Sequence, residues 1–409
     1  DRTDQSINDT VNTWVDKSTN GYHMTLSRGN GAKVSEGGVN FSNDYYAHSL
    51  SSDLVVGTSY TAFYAVDSSS SSTQHILNFD SGYAFSSFNN GNFRSIFRPQ
   101  GGDTGGFNLI ESPDGSVQDA LIYGVKLSDG SMSVLQDGVE LVSEAGTNGV
   151  LTIDASVASA GFSLGGLDTT QHGISRFFQG DIREVLVFNT ELSSAETAQV
   201  NNYLSSKWGT ELGAGLDYYA GDTAVNGDYD SEVNGILSLS ESSLGNAQRG
   251  GLTISNVDFL QDVGDAVFAG HNDATGISSS DIGAGGTVNV RSETVWYLDA
   301  TDTARLGGRI NLGFDLEELG LVVTSSMTDY VLLWRSHQTG QFHEIAVADS
   351  HTGNVISFDN IQVNTAATDG MIQTSTDMIN DGYFTVGAVD NTAPVYESAE
   401  AEIGGNTIT

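Results

Sequence analysis

The chain has 409 residues, of which 52 are Asp or Glu and 15 are Lys or Arg, so its formal net charge is -37. This length predicts two domains or slightly more, and a hydrophobic content of 38% is sufficient for folded cores. A negative field of this size repels nucleic acids and anionic membranes, so neither is an expected partner. The absence of Cys excludes disulfides, thiolate metal sites and cysteine nucleophiles. No apolar run approaches the length of a membrane span, and no membrane insertion is expected.

The first part of the chain contains short strand-like segments separated by Gly, Asn, Asp and Ser. The segments are rich in β-branched and aromatic residues, which is typical of strands. The dipeptide Asp137-Gly138 predicts a type I′ hairpin, because both central positions of that turn need a positive φ. The sequence therefore predicts an antiparallel β domain, with strands at 61–67, 75–79, 120–127, 132–136 and 182–188.

One helix is predicted to interrupt this pattern and to close the domain. Ser193 and Glu196 have the spacing of a capping box. Apolar residues follow at the spacing of one helix face: Val200, Tyr203, Leu204 and Trp208. We expect this face to pack on a sheet, and we place the boundary of the first domain after residue 212.

Strand patterns resume after residue 213. The segment 308–316 alternates apolar residues with polar ones or Gly, which predicts one buried and one solvated face. Further strands are predicted at 251–260, 287–298, 330–334, 355–363 and 383–389. The prediction is a second β-sandwich over 213–390 that acts as a scaffold, followed over 391–409 by a linker and the start of another repeat.

Four segments carry a resemblance to a known family: VNTWVDKSTNGYHMTL (11–26), GVNFSNDYYAHS (38–49), SVLQDGVEL (133–141) and RFFQGDIREVLVFNTELSSAE (176–196). They resemble the bacterial laminin-G-like, concanavalin A-like jelly-roll domains, whose closing motif is F-x-G-D-I-x-E-V followed by an L-S-x-x-E helix. Over 1–212 the resemblance implies an all-β jelly-roll sandwich with one closing helix. It also implies a lectin-like, carbohydrate-binding function.

The second half resembles a β-sandwich module that follows such lectin-like domains in large bacterial surface proteins. The resemblance lies in the order of NGDYDSEVNGI (226–236), VRSETVWYL (290–298) and DGYFTVG (381–387), and the tail DNTAPV (390–395) resembles the start of bacterial immunoglobulin-like extender repeats. Together these features imply the ligand-binding region of a large RTX-type adhesin. It would be extracellular, on a bacterial cell surface, monomeric, and joined to extender domains of the same chain.

Jelly rolls of this class also include glycosidases, which need two carboxylates across the scissile bond. Asp181 and Glu184 are three residues apart on a predicted strand, so they should point to opposite faces unless a bulge intervenes. The structural alternative is that Asp181 fixes a turn and Glu184 pairs with Arg183 or a neighbouring strand. The chain also contains no E-x-D and no H-E-x-x-H pattern. We therefore expect a protein that is not an enzyme.

The stretch 80–115 is the strongest candidate for ligand binding, because loops on a rigid sandwich concentrate binding residues. Its aromatic residues are candidates for stacking on sugar faces, with a core position as the alternative for Phe93 and Phe97: Tyr83, Phe88, Phe93 and Phe97. Its polar candidates are Asn89, Asn90, Asn92, Arg94, Arg98, Asp103 and Asn108. Asp168 and His172 precede the closing strand, and we expect them to face the 94–103 loop.

Calcium is the expected cofactor, since Asp is abundant and its short carboxylate suits Ca²⁺ loops. The candidate ligands in the first domain are Asp44, Asp103 and Asp168. In the second domain they are Asp228 and Asp230, in a stretch that alternates oxygen-bearing side chains but lacks the Gly and Glu positions of an EF-hand. The alternative for that stretch is a solvent-facing acidic loop.

The sequence thus predicts a calcium-dependent lectin-like region of a surface adhesin, with a cell-surface glycan as partner. Two alternatives stay open. One is a protein-binding or purely structural module, and the other is a glycan hydrolase or lyase on the same fold.

Overall fold

The computed structural model describes residues 6–18, 20–48, 59–79, 84–97, 108–113, 121–128, 131–145, 162–169, 173–283, 286–304, 306–321, 329–363, 378–389, 402–403 and 406–407. The chain divides into two compact units, Asp1–Tyr218 (unit 1) and Tyr219–Thr409 (unit 2). The boundary expected after residue 212 lies shortly before this division. The described strands pair antiparallel, apart from one parallel pair in unit 2, and the all-β class is confirmed.

Unit 1 is a jelly-roll sandwich of two sheets. Its described strands are β1 (Thr13–Trp14), β2 (Met24–Arg28), β3 (Lys33–Ser35), β4 (Gly38–Ser42), β5 (Tyr45–His48), β6 (Tyr60–Ser68), β7 (Gln74–Phe79), β8 (Ala84–Asn89), β9 (Asn92–Phe97), β10 (Asn108–Glu111), β11 (Leu121–Ser128), β12 (Ser131–Gln136), β13 (Val139–Ala145), β14 (Phe162–Leu164), β15 (Leu167–Thr169), β16 (Gly173–Ser175) and β17 (Gln179–Phe188). One sheet has the order β1-β2-β5-β14-β7-β8-β9-β10, and the other has the order β13-β12-β11-β6-β17-β4-β3. β15 and β16 form a separate hairpin.

The core of unit 1 lies between these two sheets. Phe93 of β9 stacks on Tyr123 of β11 with ring centroids 4.6 Å apart, which joins one sheet to the other. The predicted strands of this half are present, and the predicted hairpin between β12 and β13 is confirmed. Its central residues Asp137 and Gly138 have φ values of 48° and 83°, as a type I′ turn requires.

The predicted helix α1 (Ser194–Trp208) closes unit 1. Its capping box is present: the Ser193 hydroxyl accepts from the Glu196 amide, and the Glu196 carboxylate accepts from the Ser193 amide. The helix ends at Gly209 in the left-handed conformation. Its buried residues Tyr203 and Leu204 pack on the seven-stranded sheet, on the side away from the main core.

Unit 2 is the second sandwich. Its described strands are β18 (Ser231–Ser238), β19 (Ser243–Leu244), β20 (Asn246–Arg249), β21 (Leu252–Asn256), β22 (Ala266–His271), β23 (Ile277–Ser278), β24 (Val290–Ser292), β25 (Trp296–Thr301), β26 (Gly308–Asp315), β27 (Tyr330–Arg335), β28 (His343–Val347), β29 (Ser350–Thr352), β30 (Val355–Val363), β31 (Met378–Ile379), β32 (Gly382–Ala388), β33 (Glu402–Ile403) and β34 (Asn406–Thr407). The larger sheet follows β19-β18-β22-β25-β32-β24-β23, with β27 on β32 and β28 on β27. The smaller follows β20-β21-β26-β30-β29, with β31 parallel to β30.

The alternation predicted for 308–316 sets the core of unit 2. Ile310, Leu312, Phe314 and Leu316 are all fully buried, and they join the hydrophobic cluster between the two sheets.

The extender repeat expected over 391–409 lies outside the described residues, except for the short pair β33 and β34. No helix in the described part of the chain is long and apolar enough to cross a bilayer.

Candidate functional site

The closing motif of unit 1 places its two carboxylates on one face, which corrects the prediction that they point to opposite faces. The register of β17 on β6 shifts between Ile182 and Glu184, so Arg183 occupies a bulge. Ile182 faces the core between the sheets, and Asp181 and Glu184 both lie on the other side. Because Asp181 and Glu184 lie on the same face, their orientation is compatible with a catalytic pair. The hydrogen bonds of each carboxylate show which role it has.

Both carboxylates have structural partners. Asp181 accepts from the side chains of Ser35 and Asn40, at distances of 2.9 and 3.0 Å, and so holds the β3–β4 hairpin. Glu184 lies under α1, where it accepts from the Tyr203 hydroxyl at 2.8 Å and the Trp208 indole at 3.1 Å. It also forms an ion pair with Lys207 at 2.8 Å, so its described side-chain partners lie in α1 and not at Arg183 or on a neighbouring strand, the two alternatives that the sequence left open. Both carboxylates are therefore engaged in hydrogen bonds that hold the fold together.

The predicted binding stretch 80–115 contributes β8, β9 and β10, which form one edge of the eight-stranded sheet. Phe88 and Phe93 point into the core and are at most 1% exposed. The prediction that they stack on a sugar is therefore wrong, because side chains on a strand alternate and theirs face the opposite sheet. The neighbouring positions on these strands point the other way, towards the outer face of the sheet.

Four polar residues form a row on this outer face, here called the polar row. They stand directly opposite one another on adjacent strands: His75 of β7, Ser87 of β8, Arg94 of β9 and Glu111 of β10. The Arg94 Nε donates to the Ser87 hydroxyl at 3.0 Å. Sequence reasoning selected Arg94 but missed the other three, because only the pairing register brings them together.

The inner end of the polar row is a buried hydrogen-bonded network. His75 is fully buried, and its Nδ1 lies 2.7 Å from the Asn78 Oδ1. The Asn78 amide nitrogen donates to the Gly166 carbonyl, so the Asn78 oxygen accepts and the imidazole proton lies on Nδ1. Burial lowers the pKa of His75, the Asn78 hydrogen bond raises it, and the charges of Arg176 and Arg94 lower it. The net result is a pKa that falls from 6.5 to about 3. The ring is therefore neutral at physiological pH.

Two guanidinium groups lie along the polar row, whose outer end is the Glu111 carboxylate. Burial lowers the pKa of the half-buried Arg94, the Glu111 carboxylate raises it, and the nearby guanidinium of Arg176 lowers it. Arg176 is exposed, has a φ of 52°, and is attached to β7 by its carbonyl, which accepts from the His75 amide at 2.9 Å. Two of the 15 basic residues thus lie close together on the outer face of unit 1.

Three of the predicted asparagines adjoin the polar row. Asn89 and Asn92 are paired next to Ser87 and Arg94, and Asn90 is in the connecting turn with a φ of 53°. Asn89 also accepts from the Thr73 hydroxyl at 2.7 Å. Asn108 is different: it is 4% exposed and lies on the core side of β10, the side of Ile110. This position removes Asn108 from the outer face.

The remaining predicted ligand residues are not placed by the structure. Tyr83, Arg98, Asp103, His172 and the side chain of Asp168 lie outside the described residues. The β15–β16 hairpin is flanked by two hydrogen bonds to β7. The Gly165 amide donates to the Ile76 carbonyl, and the His75 amide donates to the Arg176 carbonyl. The expectation that Asp168 and His172 face the Arg94 region stays a prediction.

Ser163 is the centre of a Gly-Phe-Ser-Leu-Gly segment, which has the letters of a nucleophile elbow. Its position does not fit that role. Ser163 is in the middle of β14, paired on both sides by β5 and β7, and it is 6% exposed. A nucleophile elbow requires a sharp turn from a strand to a helix.

The predicted calcium ligands that the structure describes lie in different places: Asp44 in a turn of unit 1, and Asp228 and Asp230 just before β18 in unit 2. Asp44 is 3% exposed and accepts from the Ser42 amide at 3.0 Å in the turn between β4 and β5. Asp228 and Asp230 precede β18, where burial and then the charge of Asp228 raise the pKa of Asp230. Within the described part of the chain, no three His, Asp or Glu side chains are grouped closely enough to hold a metal ion.

Neither the protein-family models nor the curated proteins give a match to this chain. Solved structures give distant similarities of fold. A Ruminococcus gnavus IT-sialidase CBM40 bound to α2,3-sialyllactose is 16% identical over 33% of this chain and 77% of its own, with a TM-score of 0.28. A putative carbohydrate-binding protein from Bacteroides ovatus is 16% identical over 38% of this chain and 44% of its own, with a TM-score of 0.30. The receptor-binding domain of botulinum neurotoxin C/D mosaic serotype is 12% identical over 94% of this chain and 96% of its own, with a TM-score of 0.36.

Proposed function

We propose that unit 1 is a carbohydrate-binding module that holds its ligand on the outer face of the eight-stranded sheet, over the polar row. The observation that carries this proposal is the row itself: four polar side chains in register across four strands, with a second guanidinium beside them. His75 and Ser87 are buried and fix the row, whereas the half-buried Arg94 and Glu111 are the members that reach solvent. A row of fixed donors and acceptors suits a ligand rich in hydroxyl groups.

The chemistry of the row favours directional hydrogen bonding. Ser87 and the Asn78 network hold Arg94 and His75 in place, so the row requires little reorganisation when a ligand binds. Arg94 offers charged donors, and Asn89 and Asn92 offer both donors and acceptors at the turn. In a chain with a net charge of -37, the two guanidinium groups also offset the negative field locally.

In the biological setting that we propose, the chain is the ligand-binding region of a bacterial surface adhesin that attaches the cell to glycans of a host or another cell. Unit 2 would then connect the lectin-like unit to extender domains outside the cell. Calcium dependence is part of the proposal as well. Its candidate ligands are Asp44, Asp103 and Asp168 in unit 1 and Asp228 and Asp230 in unit 2.

A glycan array probed with the full chain tests the proposal, with and without a calcium chelator. Arg94→Gln should lower retention of the bound glycans roughly 10- to 100-fold, the equivalent of a charged hydrogen bond of about 1.5–3 kcal/mol. Arg309→Gln is the matched control, since it makes the same charge change on an exposed side chain of unit 2. If no glycan is retained under any calcium condition, the proposal is wrong. Capture of a protein from deglycosylated cells would then favour the protein-binding alternative.

A further inference from the structure

Unit 2 contains an open cleft at one end of its sandwich, here called the unit 2 cleft. Its volume is about 440 Å³, within the range of about 300–1,000 Å³ typical of small-molecule sites. Its polar and apolar lining includes Glu232, His271, Asp273, Thr275, Glu318 and Leu319. These residues come from β18, from the end of β22 and the loop after it, and from the turn after β26. The cleft is therefore built by segments far apart in the sequence.

A bulge directs Glu232 towards the cleft. The register of β18 on β22 shifts between Ser231 and Asn234, and Glu232 within the shift has a φ of 51°. A positive φ is uncommon for Glu, and bulges recur where a side chain must be redirected. The position of Glu232 is thus maintained at a conformational cost, which is frequent at binding sites.

The charge of the cleft is negative and incompletely compensated. Three carboxylates line it, from Glu232, Asp273 and Glu318, and no Lys or Arg is among the described lining residues. Glu232 forms an ion pair with Arg249, outside the lining. Burial raises the pKa of Glu318, and the carboxylates of Asp315 and Glu232 raise it further. A cation in the cleft would relieve this repulsion.

His271 supplies a donor with a fixed direction. The ring is 8% exposed and packs edge-on against Trp296, with centroids 5.7 Å apart. Its Nδ1 accepts from the Asp273 amide at 3.0 Å, so the proton of the neutral ring lies on Nε2. That Nε2–H has no hydrogen-bond acceptor among the described residues, and it lies beside Gly250 in the lining of the cleft, where a ligand can accept from it.

Two glycines keep the space in front of these groups open. A Cβ on Gly250 would lie 3.1 Å from the His271 Nε2 and 2.6 Å from the Glu232 Cβ. A Cβ on Gly251 would lie 3.1 Å from the Glu318 Oε2. Any larger residue in the β20–β21 turn would therefore occupy the space next to the imidazole and the carboxylates.

We propose that the unit 2 cleft binds a small organic cation, with a primary ammonium between the carboxylates of Glu318, Glu232 and Asp273. An adjacent hydroxyl or other acceptor on the same ligand takes the Nε2–H of His271. An amino sugar and a simple hydroxyalkylamine share this chemistry. The proposal gives unit 2 a binding role of its own, independent of the glycan site proposed for unit 1.

Titration calorimetry of the full chain with glucosamine tests the proposal, with Trp fluorescence as a second readout because His271 contacts Trp296. We expect glucosamine to bind at least tenfold more tightly than N-acetylglucosamine, which has the same ring without the charge. Ethanolamine distinguishes the two classes of ligand. If it binds as tightly as glucosamine, the ligand is a simple hydroxyalkylamine, and if it binds more weakly, the ligand is an amino sugar. Either result supports the proposal.

Two variants locate the binding. Glu318→Gln should weaken glucosamine binding at least tenfold. Glu317→Gln should leave it unchanged, because Glu317 bonds Asn354 and does not line the cleft. The proposal is overturned if neither amine binds, if N-acetylglucosamine binds equally well, if Glu318→Gln has no effect, or if Ca²⁺ alone binds at the cleft. The comparison of glucosamine with N-acetylglucosamine uses the native chain, so this test remains valid even if a variant folds poorly.

Discussion

The buried His75 makes the stability of unit 1 depend on pH in a predictable direction. Its pKa is about 3 in the folded chain, against 6.5 for an unperturbed histidine. Between these two pH values the unfolded chain binds a proton that the folded chain does not, so the free energy of unfolding decreases as the pH is lowered from 6.5 towards 3. Because pH 5 is about 1.5 below 6.5, the expected loss there is about 2 kcal/mol, or roughly 30-fold in the unfolding equilibrium.

Hydrogen exchange followed by mass spectrometry measures this loss on the full chain. Exchange at pH 7.5 and pH 5, corrected for the intrinsic rate, gives the protection of the β7 amides, and β26 of unit 2 serves as an internal reference. The variant His75→Gln keeps an amide donor for Asn78 but does not titrate. Carboxylates that titrate in both proteins cancel in the comparison.

The expected result is that the β7 amides of the native chain lose about 30-fold more protection than those of His75→Gln between the two pH values. Equal losses in the two proteins would refute the assignment of His75 as a buried neutral group. A loss of the same size in β26 would show that the effect belongs to the whole chain and not to the polar row.

Substitutions at three further positions test the closing motif, each by urea unfolding of the full chain. Glu184→Gln should cost about 1–3 kcal/mol, because the Trp208 indole and the other partners lose a charged acceptor; an unchanged midpoint would contradict the role assigned to it. Ser193→Ala should cost about 1 kcal/mol by removing the helix cap, whereas Ser193→Asn should be nearly neutral. Gly180→Ala should cost about 3 kcal/mol or more, because a Cβ there would lie 2.1 Å from the Asp67 carbonyl oxygen, and native-like stability would show that β17 can shift.

The strands and the helix were predictable from local patterns, whereas the sheet face to which each site residue points was not. The capping box and the alternation from Ile310 to Leu316 are local signals, and the structure confirms both. Facing depends on parity along a strand, and a single bulge reverses it. The pair Asp181 and Glu184 shares a face for this reason, and so does the pair His75 and Asn78, since the register of β7 also shifts between His75 and Leu77.

Register across strands was the second property that the sequence does not reveal. Arg94 was recognisable as a basic residue in an irregular stretch, but Glu111 and Ser87 became its neighbours only through the pairing of β8, β9 and β10. The unit 2 cleft also depends on long-range pairing, because Glu232 on β18 and Glu318 in the turn after β26 come from segments far apart in the sequence. Such long-range pairing depends on the whole sheet and not on any one segment.

The closing motif shows how a segment can identify a fold without touching a ligand. Gly180 lets β17 approach β6, Asp181 holds the β3–β4 hairpin, and Glu184 holds α1. Each residue is therefore required by the architecture. The proposed ligand contacts lie instead outside the closing motif, and their charges differ between the units: two guanidinium groups with one carboxylate in unit 1, and three carboxylates in unit 2. Salt should consequently weaken amine binding at the unit 2 cleft and leave the binding of a neutral glycan to unit 1 nearly unchanged, since screening acts on charged ligands alone.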